Sequence, residues 1–222
     1  DDKSATAGPQ QALPLAGIRV IELGQNIAGP FAGVILASLG AEVIKVERPD
    51  GGDDARGWGP AFVDGLSTAF HSLNYNKASV TLDLKDRQAV AELERLLVDA
   101  DVLLQNMRPG AMEQMGLDSQ TLLQRYPKLV YCAISAYGAR GPMRGNAGYE
   151  AMIQAFSGMW SVNGDETGPP TRVGTPILDY GTGVWTALGC IAALLRRATS
   201  GRGGLVDTSL METSLGWLSG QF

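Results

Sequence analysis

Asp179 is the acidic residue whose sequence surroundings best fit covalent chemistry. It follows Thr175-Pro176 and precedes a long apolar run, so the pattern predicts the N-cap of a helix over about 180–199. An N-cap aspartate contributes about 1 kcal/mol by accepting hydrogen bonds from backbone N–H groups, so a purely structural role also fits. Gly181 and Gly183 are poor helix formers, and their missing side chains are expected to leave space beside the carboxylate. Because a helix N-terminus favours negative charge, we predict an ionised carboxylate that could act as a nucleophile.

Basic residues stand next to the ends of several predicted strands. They are Arg48, Arg56, Lys77, Lys85 and Arg108. Each alone is typical of a solvated surface charge, whereas together at one edge of a sheet they could bind a phosphorylated ligand. Arg48 is the best placed, because it directly follows a strand and guanidinium binds phosphate through two parallel hydrogen bonds. The irregular segment 48–78, rich in Gly, Asp, Asn and Pro, is where we expect the ligand to be met.

The chain has few residues that would suit other kinds of catalytic site or a metal site. The only histidine is His71, and no G-x-S-x-G motif occurs, which argues against a Ser-His-Asp or Cys-His hydrolase. Cys132 and Cys190 lie in separate apolar runs, so we predict buried free thiols and no metal site, although the sequence leaves an oxygen-ligand magnesium site open. Only Gly24 and Gly29 remain of the dinucleotide fingerprint G-x-G-x-x-G, which favours close helix–strand packing over a nicotinamide or flavin site.

The apolar periodicity predicts an α/β fold with alternating strands and helices. Short apolar runs predict five strands, at 18–23, 42–47, 79–84, 102–106 and 129–135, and an alternating segment follows at 205–210. Helices are predicted near 31–39, 86–100, 118–126, 147–157 and 180–199. The first strand, helix and strand form a βαβ unit, so the sheet should be parallel. In the last helix the predicted buried face consists of Val184, Leu188, Ile191 and Leu195, and in the preceding one the apolar spacing joins Tyr149, Met152, Ile153 and Phe156.

Composition indicates a globular protein without an affinity for polyanions. The chain has 222 residues, of which 45% are hydrophobic, and its formal net charge is -5. Its basic residues are scattered, which argues against nucleic acid as a partner. The longest apolar stretch, 184–195, is shorter than the roughly 20 residues of a membrane span, so we expect a buried helix and no membrane. Residues 1–14 are expected to be a disordered leader, residues 15–222 one domain, and the free thiols suit a cytoplasmic location.

A series of sequence blocks resembles one known family in composition and order. The blocks are LAGIRVIELGQNIAGPFAGVILASLGAEVIKVERPDGGDDAR, NYNKASVTLDLK, NMRPG, YGARGP, GYEAMIQAFSG, GPPTRVGTPILDYGTG and SGRGGLVDTSL. From Leu15 to Phe222 the chain resembles the N-terminal half of the family III CoA-transferases, which include formyl-CoA transferase and carnitine CoA-transferase. The resemblance implies a Rossmann-like parallel sheet flanked by helices, the CoA-binding large domain of a truncated chain that lacks the small domain and the return segment. It also implies an interlocked homodimer in the full-length form.

The resemblance also implies roles for individual residues. Asp179 matches the family's nucleophile, which forms an aspartyl-acyl anhydride and then an aspartyl-CoA thioester while CoA moves from an acyl-CoA to a carboxylic acid. Coenzyme A would be a substrate, and no cofactor would be bound covalently at rest. The implied CoA contacts are Ile27, Ala28, Arg48, Leu82, Lys85, Asn106, Met107, Arg108, Tyr149 and Glu150. Gln114 and Ile27 depart from the formyl-CoA transferase pattern, which puts formyl and oxalate specificity in doubt, and Gln25 could substitute for the glutamine missing at position 27.

Two alternatives to transfer remain at the level of sequence. The 2-methylacyl-CoA racemases resemble the chain nearly as well, but they use a histidine where Tyr149 stands here. Racemisation needs a base on each face of the α-carbon, so the tyrosine favours transfer. The other alternative is a non-catalytic CoA-binding fragment, since the resemblance places part of the active-site enclosure outside this chain.

Overall fold

A six-stranded parallel sheet organises the chain. The computed structural model describes residues 12–221, so most of the predicted leader lies outside the described residues. The strands of the large sheet are β1 (Arg19–Leu23), β2 (Glu42–Glu47), β5 (Lys77–Thr81), β6 (Val102–Gln105), β7 (Val130–Ser135) and β8 (Gly204–Ser209), and a small antiparallel pair is formed by β3 (Phe62–Val63) and β4 (Leu66–Ser67). The helices are α1 (Ala28–Ser38), α2 (Thr68–Asn74), α3 (Arg87–Val98), α4 (Ala111–Gln114), α5 (Ser119–Arg125), α6 (Glu150–Phe156), α7 (Ile177–Ser200) and α8 (Leu210–Trp217). The predicted α/β class and parallel sheet are confirmed, and the alternating segment at 205–210 is the sixth strand.

The order of strands determines where a ligand can enter. Across the sheet the order is β5-β2-β1-β6-β7-β8, and every neighbouring pair is parallel. The chain therefore leaves β1 toward one edge of the sheet and later returns to pair β6 on its other side. In such sheets the loops after the two central strands diverge and leave a crevice at the carboxyl ends. The loops after β1 and β6 are consequently the expected walls of a binding site.

Several helix starts follow from capping residues in the sequence. The carboxylates of Asp86 and Asp118 accept hydrogen bonds from backbone N–H groups at the starts of α3 and α5, from Gln88 at 2.9 Å and from Thr121 at 2.9 Å. Gly40 has the positive φ expected just beyond the end of α1. These local signals explain why the boundaries of the first half were predicted within a few residues. The β3–β4 pair, α2 and α4 were missed because they lie in irregular segments without clear periodicity.

The prediction for the buried face of α7 was wrong for three of its four residues, and Ile191 alone of the four packs against the core. Val184, Leu188 and Leu195 are 47%, 54% and 68% exposed. The buried face is formed mainly by small residues, namely Leu178, Gly181, Thr182, Gly183, Thr186, Ala187, Cys190, Ala193 and Leu194. Small side chains let α7 approach α1 closely, because a Cβ added at Gly183 would lie 2.9 Å from the carbonyl oxygen of Ala28. The larger apolar residues are thereby turned outward.

In α6, too, most of the apolar residues with helical spacing face outward. The structure also makes α7 longer than the predicted helix. Tyr149, Met152 and Phe156 are exposed, and only Ile153 of the four apolar residues with helical spacing is buried. α7 has 24 residues, and by length and composition alone it could cross a membrane. The core helix of a globular domain passes the same test, and α7 packs against α1, β7 and β8. Cys190 on this helix and Cys132 on β7 are buried and free, as predicted.

Candidate active site

A cleft of about 580 Å³ lies at the carboxyl ends of the central strands. Its walls are the turn after β1, the segment after β6, the loop before α6 and the first turn of α7. This is the place where the strand order reverses, and its size fits a cofactor-sized ligand. The predicted site residues that line it are Ile27, Ala28, Arg48, Lys85, Asn106, Met107, Arg108, Tyr149 and Asp179. The remaining two lie outside it, since Leu82 packs on the apolar core beneath and Glu150 is buried behind the wall.

The turn between β1 and α1 is held in an unusual conformation. Asn26 has a φ of 63°, in the left-handed region that asparagine tolerates better than most residues. Gly24 and Gly29 approach so closely that a Cβ on Gly29 would lie 2.9 Å from the Cα of Gly24, which agrees with the packing role predicted for these glycines. The side chain of Asn106 pairs with the backbone of Gln25, accepting from its N–H at 2.9 Å and donating to its carbonyl at 2.8 Å. Asn106 therefore positions the turn as well as lining the cleft.

Asp179 occupies the first turn of α7, and the predicted N-cap role was wrong. The helix begins at Ile177, with Pro176 as its N-cap residue, so Asp179 is the third helical residue. It is partly buried and lines the cleft. Burial and the nearby charge of Glu150 raise the pKa of the Asp179 carboxyl to about 7. These two effects outweigh the stabilisation of a negative charge by the N-terminus of α7. The carboxyl is therefore less readily ionised than the sequence predicted.

Glu150 supplies the capping interaction that Asp179 does not make. Its carboxylate is 6% exposed and accepts hydrogen bonds from the backbone N–H of Leu178 at 3.4 Å and from the side-chain amide of Gln154. Its second oxygen lies 3.4 Å from the guanidinium of Arg172. Glu150 thus connects α6, α7 and the loop between them. Its charge also lies near enough to Asp179 to raise the pKa of that carboxyl.

The glycines beside Asp179 permit packing and do not clear space for a substrate. A Cβ at Gly181 would lie 2.2 Å from the ring of Trp217, and one at Gly183 would meet Ala28 and Phe31. The expectation that their missing side chains leave room next to the carboxylate was therefore wrong. Their physical role is to bring α8 and α1 against the start of α7.

The five basic residues proposed for a phosphorylated ligand divide into two groups. Arg48, Lys85 and Arg108 line the cleft, and all three are exposed. Arg56 instead makes an ion pair with Glu47 and lies 4.0 Å above the ring of Phe70. Lys77 is buried. A trio of cations at the mouth of the cleft can meet the negative charge of phosphate groups.

Several residues that line the cleft could not be selected individually from the sequence. Among them are Asp54, which pairs with Arg48, together with Trp58, Ser135 and Asn146. Asp54 and Trp58 lie in the irregular segment where we expected the ligand, so only their individual roles were missed. Within residues 12–221 no group of three or more His, Cys, Asp or Glu side chains is arranged to hold a metal ion.

The family model of CoA-transferase family III matches residues 15–222. A succinate–glutarate CoA-transferase of Agrobacterium fabrum is 41% identical over 219 residues, which cover 96% of this chain and 55% of that protein. The succinyl-CoA:glutarate CoA-transferase of Homo sapiens is 39% identical over 218 residues, covering 96% of this chain and 50% of that protein. The chain thus spans about half the length of the curated relatives it matches.

A solved structure shows the same fold over nearly the whole chain. A CAIB/BAIF family protein from Brucella suis superposes with a TM-score of 0.90 and is 38% identical in sequence. The match covers 95% of this chain and 57% of that chain. The arrangement of sheet, turn and long helix described above therefore recurs in a homologous protein.

Proposed function

The chain belongs to CoA-transferase family III, and from that premise we propose that the complete protein moves coenzyme A from an acyl-CoA to a carboxylic acid. The names of its relatives, which include succinate–glutarate and succinyl-CoA:glutarate CoA-transferases, favour succinyl-CoA as donor and a second dicarboxylate such as glutarate as acceptor. Ile27 offers no carboxamide to a small polar acyl group, whereas Gln25, which lines the same cleft, does, so it is the relatives' names and not this position that favour dicarboxylates over formate. Coenzyme A is a substrate in this proposal.

The observation that carries the proposal is the meeting of the Asp179 carboxylate and three cations in a single cleft. Asp179 lies at the carboxyl ends of the central strands, and Arg48, Lys85 and Arg108 line the same cleft. The phosphates of a CoA thioester would meet these cations, while its thioester carbon would be presented to the carboxylate. Proximity of this kind lowers the barrier because the reactants are already held together. All of the CoA contacts stay predictions, and Leu82 and Glu150 are the two that lie outside the cleft.

The chemistry requires two symmetrical exchanges. The Asp179 carboxylate attacks the thioester carbonyl of the donor, and the CoA thiolate leaves to give a mixed anhydride. That thiolate then attacks the aspartyl carbonyl, releasing the donor acid and forming an aspartyl-CoA thioester. The acceptor carboxylate attacks this thioester, forming a second anhydride and releasing the thiolate again. Attack of the thiolate on the acceptor's carbonyl produces the new acyl-CoA and regenerates the Asp179 carboxylate.

Both intermediates are prone to hydrolysis, so the reacting carboxyl should be shielded from water. The partial burial of Asp179 and the raised pKa that results are the expected signs of such shielding. A desolvated carboxylate is also a stronger nucleophile once it is ionised, because fewer water molecules must be removed from it.

The assembly and location of the complete protein form part of the proposal. We infer an interlocked homodimer in the cytoplasm, with no membrane or nucleic acid as partner. Exposed apolar side chains on α7, Val184, Trp185 and Leu188, support a protein–protein contact on this face. The net charge of -5 disfavours nucleic acid, and two free cysteines are consistent with a reducing compartment.

The direct assay supplies the complete protein with succinyl-CoA and a panel of acceptor acids, and follows formation of the new acyl-CoA by chromatography. We expect glutaryl-CoA when glutarate is present and no transfer to formate. If the protein instead exchanges the α-proton of a 2-methylacyl-CoA with deuterium from solvent and transfers no CoA, it is a racemase. If it binds CoA but does neither, the non-catalytic alternative holds.

A further inference from the structure

Four charged side chains form a closed cluster below the β1–α1 turn. They are Glu22 on β1, Lys45 on β2, Lys77 on β5 and Asp53 in the loop after β2, and no side chain among them is more than 2% exposed. The Nζ of Lys45 lies 3.0 Å from Glu22 Oε1 and 2.9 Å from Asp53 Oδ2. The Nζ of Lys77 lies 2.8 Å from Glu22 Oε2. Two basic and two acidic side chains are therefore buried together.

Each end of the β1–α1 turn is attached to this cluster through its backbone. Lys45 Nζ donates to the carbonyl of Gly24, just before the turn. Asp53 Oδ1 accepts from the N–H of Asn26 at 3.0 Å, within the turn. Lys77 Nζ donates to the carbonyl of Pro30 at 2.8 Å, in the first turn of α1. Three side chains of one ionic cluster thus hold successive points of a single segment.

Stability alone is a weak reason for such a cluster. Desolvating four charged side chains costs about as much as their mutual attraction returns, and apolar replacements of similar volume are often neutral or stabilising. The cluster also restricts its surroundings, since a Cβ on Gly33 would lie 1.9 Å from Glu22 Oε2. What buried ions supply better than apolar side chains is a defined direction and distance for the groups that they bind.

The turn that this cluster holds faces the nucleophile candidate. Gln25, Asn26, Ile27 and Ala28 all line the cleft that contains Asp179. Ala28 also touches α7 at Gly183, one helical turn beyond Asp179, and the ring of Phe31 packs edge-on against Tyr180 at 4.8 Å. A shift of the turn would therefore change both a wall of the cleft and the packing of the helix that carries the carboxylate.

We propose that Asp53 is a positioning residue for CoA transfer, which acts by joining the Asn26 amide to Lys45 and so fixes the β1–α1 turn opposite Asp179. The proposal rests on the transfer function proposed above. Asp53 itself is buried and does not line the cleft. Its own position is fixed in turn, because its N–H donates to Glu47 Oε1 at 2.9 Å and its Oδ1 accepts from the N–H of Ala55 at 3.0 Å.

The first test is Asp53→Asn in the complete protein. The amide oxygen can still accept from Asn26, but the amide nitrogen then faces Lys45 Nζ as donor against donor, and the cluster carries an unbalanced positive charge. We expect kcat to fall by about 10- to 100-fold, the range that a displacement of about 1 Å produces, while KM for succinyl-CoA changes less than about threefold. The matched control is Asp64→Asn, an exposed acid in the turn between β3 and β4, which should keep wild-type kcat and KM.

Turnover is expressed per CoA-binding site, counted by calorimetric titration with CoA. If Asp53 only stabilised the fold, the variant would have fewer binding sites and an unchanged kcat per site, and the proposal would be overturned. A second variant, Asp53→Glu, keeps the charge but moves the carboxylate by one methylene. It should bind CoA and still lose kcat per site, and full turnover by Asp53→Glu would equally contradict the proposal.

A double-mutant cycle with Lys45→Met tests whether Asp53 and Lys45 act together. The pair Lys45→Met and Asp53→Asn leaves Glu22 balanced by Lys77, so its kcat per site should exceed the product of the single effects by about tenfold. Independent effects would overturn the proposed link. Failure of the transfer function itself is distinguishable, because the wild-type protein would then form no new acyl-CoA, whereas failure of the positioning proposal leaves the wild type active, Asp179→Asn inactive and Asp53→Asn fully active.

Discussion

At the scale of single residues, Asp179 combines two demands that oppose each other. A nucleophile must be ionised, whereas the water-free surroundings that protect an anhydride raise the pKa of the carboxyl to about 7. Glu150 adds to this effect because its buried negative charge disfavours a second one nearby. At neutral pH the ionised and protonated forms of Asp179 are therefore both present in comparable amounts. The reaction rate should for this reason be sensitive to pH.

The formation of a covalent adduct should depend on pH with a midpoint near 7. Because the ionised carboxylate attacks, the rate should rise as pH increases through the pKa of Asp179. Glu150→Gln removes the neighbouring charge and keeps an oxygen for the N–H of Leu178, so it should lower the midpoint by about 0.5–1 pH unit. Rapid-mixing mass spectrometry of the adduct measures both curves. Glu92→Gln, in an exposed ion pair on α3, is the control and should leave the midpoint unchanged.

Asp179 should also make the folded protein less stable at neutral and alkaline pH. Its folded pKa is raised above the ordinary value, so the cost of ionising it appears as pH rises from about 4 through about 7. The full change corresponds to about 4 kcal/mol, and solvent access to a partly buried group reduces the expected gain for Asp179→Asn to about 1–2 kcal/mol at pH 8. Chemical denaturation at pH 8 and pH 4 measures it. Equal stability of the variant and the wild type at pH 8 would contradict the raised pKa.

The sequence predicted the candidate site where its residues directly follow strands. Arg48 could be selected for this reason, because carboxyl ends of parallel strands meet at one edge, whereas Asn106, which the structure places directly after β6, was indicated only by the family resemblance. The pairing of Asp54 with Arg48 and the capping of Leu178 by Glu150 could not be predicted. Both contacts depend on how an irregular loop or a distant helix folds back, and the spacing of residues in the sequence does not predict this.

At the scale of secondary structure elements, α7 shows why apolar periodicity can select the wrong face. Val184, Leu188 and Leu195 have helical spacing, but so do Gly183, Cys190 and Leu194 on the other side. The structure buries the second set because only small residues allow α7 to lie close to α1. Residue size decided the outcome here, whereas the prediction had ranked the faces by hydrophobicity alone.

Gly183→Ala tests this close approach. The added Cβ would lie 2.9 Å from the carbonyl of Ala28, so the two helices must separate and the protein should lose about 1–3 kcal/mol of stability. Gly216→Ala is the matched control, since it is also helical but has nothing within 4 Å of the added Cβ. The control should be neutral or stabilised by up to about 1 kcal/mol through better helix propensity. Equal unfolding free energies for the two variants would refute the packing account.

At the scale of the whole molecule, the fold is more predictable than its surface. Strand order and parallel pairing follow from alternating strands and helices and from the right-handed crossover. The outward apolar faces of α6 and α7 do not, and they fit a chain that spans about half the length of its curated relatives. A surface of this kind is expected to be covered in the complete assembly.

Replacing Trp185 and Leu188 by serine should weaken the proposed homodimer. Both side chains are about half exposed on α7, and their removal deletes apolar contact area without opening the core. Light scattering coupled to size-exclusion chromatography of the complete protein should show a dimer for the wild type and a concentration-dependent shift toward monomer for the double variant. Val98→Ser, an exposed apolar residue on α3, is the control and should remain dimeric. A wild-type monomer would contradict the proposed assembly.

The central claim is that Asp179 forms a covalent bond during CoA transfer, and intact-mass measurement tests it most directly. The complete protein is incubated with succinyl-CoA, quenched in acid, weighed, and then digested to locate any adduct. The account predicts an adduct of CoA mass, less one water, on the peptide that contains Asp179, removed by hydroxylamine and absent from Asp179→Asn. A protein that transfers CoA with no adduct at Asp179, or with the same adduct in Asp179→Asn, would contradict it.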